Sequence, residues 1–335
     1  MKRFHKEREN NMNSRKADIG TIALKCGVSR ATVSRVFTGK AAVSEPLREK
    51  ILRAARALNY SPQQTAVRET IALVVDSLES LGKGNGFQEI LLAQLVAEIT
   101  RSGFHLNIVE AEDTDRILDS YTKAAVILLN DVQYAKYRDS FRSLKMPLIS
   151  VGNLLENCHG IFPDYHAETV SAVEHLIESG HRKITIVLDS FSNLAGKERL
   201  RGYRETMKRH GFPPLSPSVF RPREQSLIEL LALMMKDGPT ATVLCGESLP
   251  NEAVYAFQLL HLRIPDDLSV ISFEKKDCSR WFCPPHTTID QDVSEMASGA
   301  MSILRQVIDR CPGKLLQKLL PCRLVVRNSV RILEN

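Results

Sequence analysis

At 335 residues, 43% of them hydrophobic, the chain is long enough for two or three globular units with cores of their own. No apolar run approaches the roughly 18 residues of a membrane span, and residues 1–13 lack the hydrophobic segment of a secretion signal, which excludes helical spans and points to the cytoplasm. The net charge of +6 is uneven: residues 1–62 hold fourteen Lys and Arg against five Asp and Glu, so the remainder sums to −3, a basic part suited to phosphates before a body that is not.

Residues 1–17 are polar, with Lys2, Arg3, Lys6 and Arg8 among Glu7 and Glu9, and read as a flexible basic extension. Ile19, Ile22, Ala23 and Cys26 then recur at i, i+3, i+4 and i+7, one face of a first helix that Gly27 ends. Ser29 is placed to cap a second helix, with Val33, Val36 and Phe37 inward and Arg30, Ala31, Ser34 and Arg35 outward. A third helix, capped by Ser44, turns Leu47, Ile51, Ala54, Ala55 and Leu58 inward. Two short helices around a glycine turn read as a helix-turn-helix.

These residues resemble the headpiece of the lactose-repressor (LacI/GalR) family of bacterial transcription regulators, T-[IL]-x-x-[VI]-A-x-x-A-G-V-S-x-x-T-V-S-R-V. Ile19, Ile22, Ala23, Gly27, Val28, Ser29, Thr32, Val33, Ser34, Arg35 and Val36 match, and Val43, Ser44, Arg48, Leu58, Asn59, Tyr60 and Pro62 fall on later family positions. The resemblance implies a DNA-binding domain over residues 18–62 whose second helix enters the major groove, where each base pair shows its own donor and acceptor pattern. It makes Arg30 and Ala31 the specificity pair, Arg30 for a guanine edge and Ala31 for a thymine methyl. Ser29, Thr32, Ser34, Arg35, Thr38 and Tyr60 match positions that in the family contact bases or backbone.

Residues 63–70 form a linker shorter than the family's. Ala66 matches the hinge-helix pattern, but Glu69 stands where the family has a Leu that wedges into the minor groove, and a carboxylate cannot replace an apolar wedge beside phosphates. A shortened or absent hinge helix follows, with Val67 as a poor substitute wedge and less kinking of the DNA.

From Ile71 the pattern alternates between short runs rich in Val, Ile and Leu and helical stretches. Strands are expected at 71–76, 104–110, 124–129, 147–151, 184–188, 240–245 and 269–273, and helices near 88–102, 167–179, 196–210, 225–236 and 251–261. Such alternation gives parallel sheets covered by helices on both faces, and residues 71–335 are enough for two lobes. A final helix near 292–309 carries a plain apolar stripe, and the crossover from Glu110 to Ala124 leaves room for only one or two helical turns.

The resemblance continues through this body. His175, Leu176 and Gly180 to Ile184, then Arg199 with Gly202 and Tyr203, then Ile264 to Phe273, Pro284, Pro285, Thr287, Thr288, Val326, Arg327 and Ser329 fall on family motifs. It implies an α + α/β architecture: the helix-turn-helix headpiece followed by a two-lobed periplasmic-binding-protein-like effector and dimerisation domain, its ligand cleft between the lobes. Carried over by position, the effector pocket comprises Phe87, Asp164, Arg199, Gly246, Glu247 and Glu274, and an Arg opposed to a carboxylate suits a polyol. Gly246-Glu247, Glu274 and His286 depart from the usual family residues.

No catalytic constellation competes with this. Gly82, Gly84 and Gly86 do not make a phosphate loop, no nucleophile elbow or H-E-x-x-H occurs, and seven scattered cysteines without a CxxC pair fit free thiols, so no metal or cofactor is expected. The expectation is a non-enzymatic, homodimeric, sequence-specific repressor on a pseudopalindromic operator, controlled by a small metabolite such as a sugar or sugar derivative. The alternatives are a DNA-binding regulator without effector control and a sugar-binding or enzymatic body with a vestigial headpiece.

Overall fold

The computed structural model describes residues 18–38, 43–58, 60, 69–79, 86–119, 122–221, 224–246, 249–273, 278–310 and 312–334. The basic extension and the linker positions Ala66 and Val67 lie outside the described residues.

The headpiece consists of α1 (Ile19–Cys26), α2 (Arg30–Thr38) and α3 (Glu45–Ala57). Asp18 caps α1 by accepting from Thr21 N at 2.7 Å, and Gly27 ends it in the left-handed conformation at φ +71°, where a Cβ would be strained. Ser29 Oγ accepts from Thr32 N at 3.0 Å and caps α2 as the sequence predicts. Ser44 precedes α3 without a side-chain capping bond, and Pro46 in the first turn sets the backbone there instead. Ile22, Val33, Ile51 and Ala55 are fully buried where the three apolar stripes meet.

The body is two lobes, each a six-stranded sheet. The first has strand order β11-β5-β4-β3-β1-β2, with β1 (Thr70–Val75), β2 (His105–Glu110), β3 (Thr122–Ile127), β4 (Leu148–Val151), β5 (His159–Pro163) and the late strand β11 (Gln317–Leu320), all parallel. The second has order β12-β10-β9-β8-β6-β7, from β6 (Ile184–Leu188), β7 (Ser218–Val219), β8 (Ala241–Cys245), β9 (Ser269–Phe273), β10 (Thr287–Asp290) and β12 (Arg323–Val325), in which β12 alone runs antiparallel. The helices α4 (Phe87–Arg101), α5 (Arg116–Asp119), α6 (Asp131–Ser143), α7 (Tyr165–Glu178), α8 (Leu194–Arg209), α9 (Leu227–Met234), α10 (Leu249–Leu259) and α11 (Val293–Arg310) cover the faces.

Along β1 the period of two is visible as burial: Ile71, Leu73 and Val75 join the core under α4 and α11, whereas Ala72 and Val74 join the core of the opposite face with Tyr134 and Phe141 of α6. The chain crosses between lobes three times, after β5 into α7, from β10 into α11, and from β11 into β12. The crossover helix α5 is a single turn, as the short spacing requires, and Arg56 of α3 donates to Ile117 O of α5 at 3.0 Å, so the headpiece touches the first lobe there.

Glu69 is part of this body. Its carbonyl accepts from His105 N at 2.9 Å and its carboxylate faces Lys123 Nζ at 3.4 Å, at the head of β1, where backbone pairing already begins inside the expected linker.

The last residues strap the second lobe. Ser329 Oγ accepts from Thr287 N at 2.8 Å and donates to Val270 O at 2.5 Å, and Leu333 N donates to Ser179 O at 2.8 Å. Gly180, at φ +93°, lets this strap approach: a Cβ there would lie 2.4 Å from Leu333 O.

Candidate DNA interface and effector cleft

On α2 the residues that do not face the headpiece core form one side. Arg30, Ala31 and Arg35 are exposed, and Thr32 and Ser34 half-buried, while Val33 and Val36 point inward. Ser29 and Thr32 bond each other through their hydroxyls at 2.8 Å. The structure thus brings six of the expected DNA contacts to one helix start and one helix face; the side chain of Thr38 lies outside the described residues.

Tyr60 is elsewhere. It is only 7% exposed, its ring centroid lies 5.5 Å from that of Phe37, and its N–H donates to Ala55 O at 3.0 Å. It packs the headpiece core and closes the end of α3.

Between the lobes lies a cavity of about 140 Å³, a size that holds one six-membered ring. Its residues sit beyond the carboxyl ends of β3, β4, β6, β8 and β9, the place where open parallel sheets bind ligands. Phe87, Arg199 and Gly246 line it as expected. Asp164 does not: its Oδ1 accepts from Ala167 N at 2.9 Å, which makes it the cap of α7, because a residue directly between a strand and a helix has its carboxylate committed to free backbone N–H groups. Glu247 and Glu274 lie outside the described residues.

Arg199 is 8% exposed and held from several sides. Its Nε donates to Glu168 Oε1 at 2.8 Å, and its guanidinium carbon lies 4.4 Å from the Phe273 ring and 5.1 Å from the Tyr165 ring. Burial alone pulls its pKa down, but the Glu168 carboxylate, with Cys245 and Asp189, outweighs this and raises it, so the charge is secure. Glu168 has no side-chain exposure and spends its other oxygen on two crossings between the lobes, accepting from Gln291 Nε2 at 2.7 Å and Cys322 Sγ at 3.2 Å.

Asp189, which the sequence reading missed, supplies the carboxylate of the cleft. It opens to the cavity yet is hemmed in by protein, and this desolvation raises its carboxyl pKa, with Arg199 opposing in part. Asn130 and Asn193 also line the cavity and cap α6 and α8 with their Oδ1 atoms, accepting from Gln133 N at 2.9 Å and Gly196 N at 2.8 Å. Each therefore has its amide N–H groups left to offer a ligand, whereas Gln291 has one of its two N–H groups engaged and its carbonyl left. The signal was in the sequence: both asparagines precede a helix, and Asp189 directly follows the apolar run of β6.

Among the described residues, no cluster of three His, Cys, Asp or Glu side chains could hold a metal ion, and no helix is long and apolar enough to cross a membrane.

A basic three-helix unit with an exposed second helix, followed by a two-lobed periplasmic-binding-protein-like body, defines a DNA-binding transcription regulator. Residues 18–63 match the family described as bacterial regulatory proteins, lacI family, and residues 173–330 match a periplasmic binding protein-like domain. The HTH-type transcriptional repressor PurR of Mannheimia succiniciproducens is 27% identical over 337 residues, covering 94% of this chain and 99% of that protein. Among solved structures, a transcriptional regulator CelR–cellobiose complex superposes with a TM-score of 0.68 at 22% identity, over 93% of this chain and 99% of that one. The lac repressor dimer bound to operator and the anti-inducer ONPF superposes with a TM-score of 0.67 at 22% identity, over 95% and 100%. The chain thus joins a headpiece of the lacI family of bacterial regulatory proteins to a periplasmic-binding-protein-like body.

Proposed function

We propose that the chain acts as a homodimeric repressor on a pseudopalindromic operator, and that a small polyhydroxylated metabolite, a sugar or sugar derivative, changes its affinity for DNA. Ser29, Arg30, Ala31, Thr32, Ser34, Arg35 and Thr38 meet the DNA, with Arg30 and Ala31 reading bases and the others fixing register on phosphates. In the cleft, Phe87, Arg199 and Gly246 act with Asp189, Asn130, Asn193 and Gln291, and Glu247 and Glu274 remain candidates carried over by position. No reaction is required of these groups.

The observation that carries the effector reading is the balance of the cavity. Arg199 and two asparagine amides offer donors, and Asp189 and Gln291 offer acceptors, around a space for a single ring. A hydroxyl is donor and acceptor at once, so a ring bearing several satisfies both sets. For the dimer, Tyr255 at 62%, Leu259 at 48% and Trp281 at 76% exposure leave apolar surface on the second lobe that a second copy would cover.

Selection of bound duplexes from a random pool by the purified protein, with and without a library of sugars, tests this. Enrichment of a two-fold symmetric site that one sugar strengthens or weakens is expected, since control requires unequal affinity of the effector for the two DNA-binding states. Enrichment that no ligand alters supports a regulator without effector control. Ligand binding with no enriched site supports a body whose headpiece is vestigial.

A further inference from the structure

In α1, Gly20 is the second residue, and its open face is occupied from outside. A Cβ built there would lie 2.6 Å from Arg30 Nη2, 2.9 Å from Nε and 3.0 Å from Cζ. Three atoms of one guanidinium at nearly equal distance mean that the plane of the Arg30 head rests against the glycine backbone. The carboxylate of Asp18 stands beside it, fixed as the α1 cap by the N–H of Thr21 at 2.7 Å and its hydroxyl at 2.8 Å. After those hydrogen bonds, the Arg30 charge is among the influences that lower the Asp18 carboxyl pKa, so the two groups feel each other.

We infer that Gly20 is a positioning residue for DNA reading: the space left by its missing side chain, with Asp18 at its edge, sets the pose from which Arg30 addresses a base. This rests on the DNA-binding reading above. An arginine on an exposed helix face samples many rotamers and loses that freedom when it binds. Seating the guanidinium against α1 removes part of that loss beforehand and restricts which base edge the fork can reach, because bidentate recognition of a guanine depends on the direction of approach. Any side chain at position 20 takes the seat away. The nearest atoms that a Cβ would meet belong to the far end of a flexible side chain and not to the backbone, so an alanine is accommodated by moving Arg30 alone, and it suits a helix better than glycine.

The test uses the full-length protein and the variants Gly20→Ala, Arg30→Ala and the double variant. In the free protein, the Nε–Hε resonance of Arg30, assigned by its loss in Arg30→Ala, shifts in Gly20→Ala, whose thermal midpoint stays at or above that of the parent. In duplex selection, the base preference that Arg30→Ala abolishes falls about tenfold in Gly20→Ala, and the double variant matches Arg30→Ala. An unmoved resonance overturns the inference, as do additive effects of the two substitutions on that preference. If the parent protein enriches no site, the DNA-binding reading fails, and the resonance still decides whether Gly20 seats Arg30.

Discussion

Asp131, the first residue of α6 in one lobe, accepts a hydrogen bond from the backbone N–H of Leu194, the first residue of α8 in the other, at 2.9 Å. The two helices whose capping asparagines line the cavity are thus tied to each other across it. A charged acceptor makes this bond worth about 1.5–3 kcal/mol, and it exists only while the lobes are together.

Removing it should open the cleft. In Asp131→Ala the equilibrium is expected to move about tenfold toward separated lobes, read as a longer distance between spin labels on α6 and α8 with little change in unfolding midpoint. An unchanged distance distribution would show that other contacts hold the lobes, and that the bond follows closure instead of driving it.

Glu168 is the second tie. It joins the cavity-lining Arg199 to Gln291 and Cys322, which lie in two of the three crossings between lobes. Replacing it by Ala leaves a buried guanidinium without its carboxylate, at a cost of about 3–5 kcal/mol; Glu168→Gln keeps hydrogen-bonding capacity and should lose less. Urea unfolding followed in the second lobe measures both. A Glu168→Ala protein as stable as the parent would mean that Asp189 compensates the charge of Arg199.

Acid should weaken the second lobe through His181. Burial, ahead of every other influence, pushes its pKa down to about 4 from 6.5, although the ring stays within 2.9 Å of Thr240 Oγ1 and 3.1 Å of Arg331 O. The folded state therefore resists a proton that the unfolded chain accepts. Its contribution is full above pH 6.5, declines as pH falls, and is gone near pH 4, a total of roughly 3 kcal/mol. His159 and His175 are lowered by burial too and act with the same sign. The urea midpoint should fall between pH 7.5 and 4.5, and His181→Asn should flatten that slope; an unaltered slope would assign the acid sensitivity to other groups.

How far the sequence could be read depended on how each segment meets its neighbours. Strands buried on both faces, such as β1 and β8, appear as runs of Val, Ile and Leu. The edge strand β11 has three exposed residues out of four, and β12 is three residues long, so neither leaves a run to find. Helix α6 is mostly polar, with Tyr134 and Phe141 its buried residues, two turns apart, and no stripe marks it. Arg199 was legible because it falls on a family motif. Asp189 follows a visible apolar run, but its place in the cleft with Arg199 and Gly246 depends on β6 pairing with β8, a relationship that sequence order does not contain.

Tyr60 allows the sharpest separation of packing from contact. The family pattern makes it a DNA residue, whereas its 7% exposure and its ring against Phe37 make it a core residue. If packing is its role, Tyr60→Ala empties a buried ring site at about 3 kcal/mol and unfolds the headpiece at a lower temperature. Tyr60→Phe keeps the ring, loses only about 1 kcal/mol, and binds the selected operator within about threefold of the parent. Calorimetry of the headpiece transition and a salt-controlled binding isotherm give the two quantities separately. A Tyr60→Phe protein with the parent's stability but tenfold weaker binding would place the hydroxyl on DNA and return Tyr60 to the recognition surface.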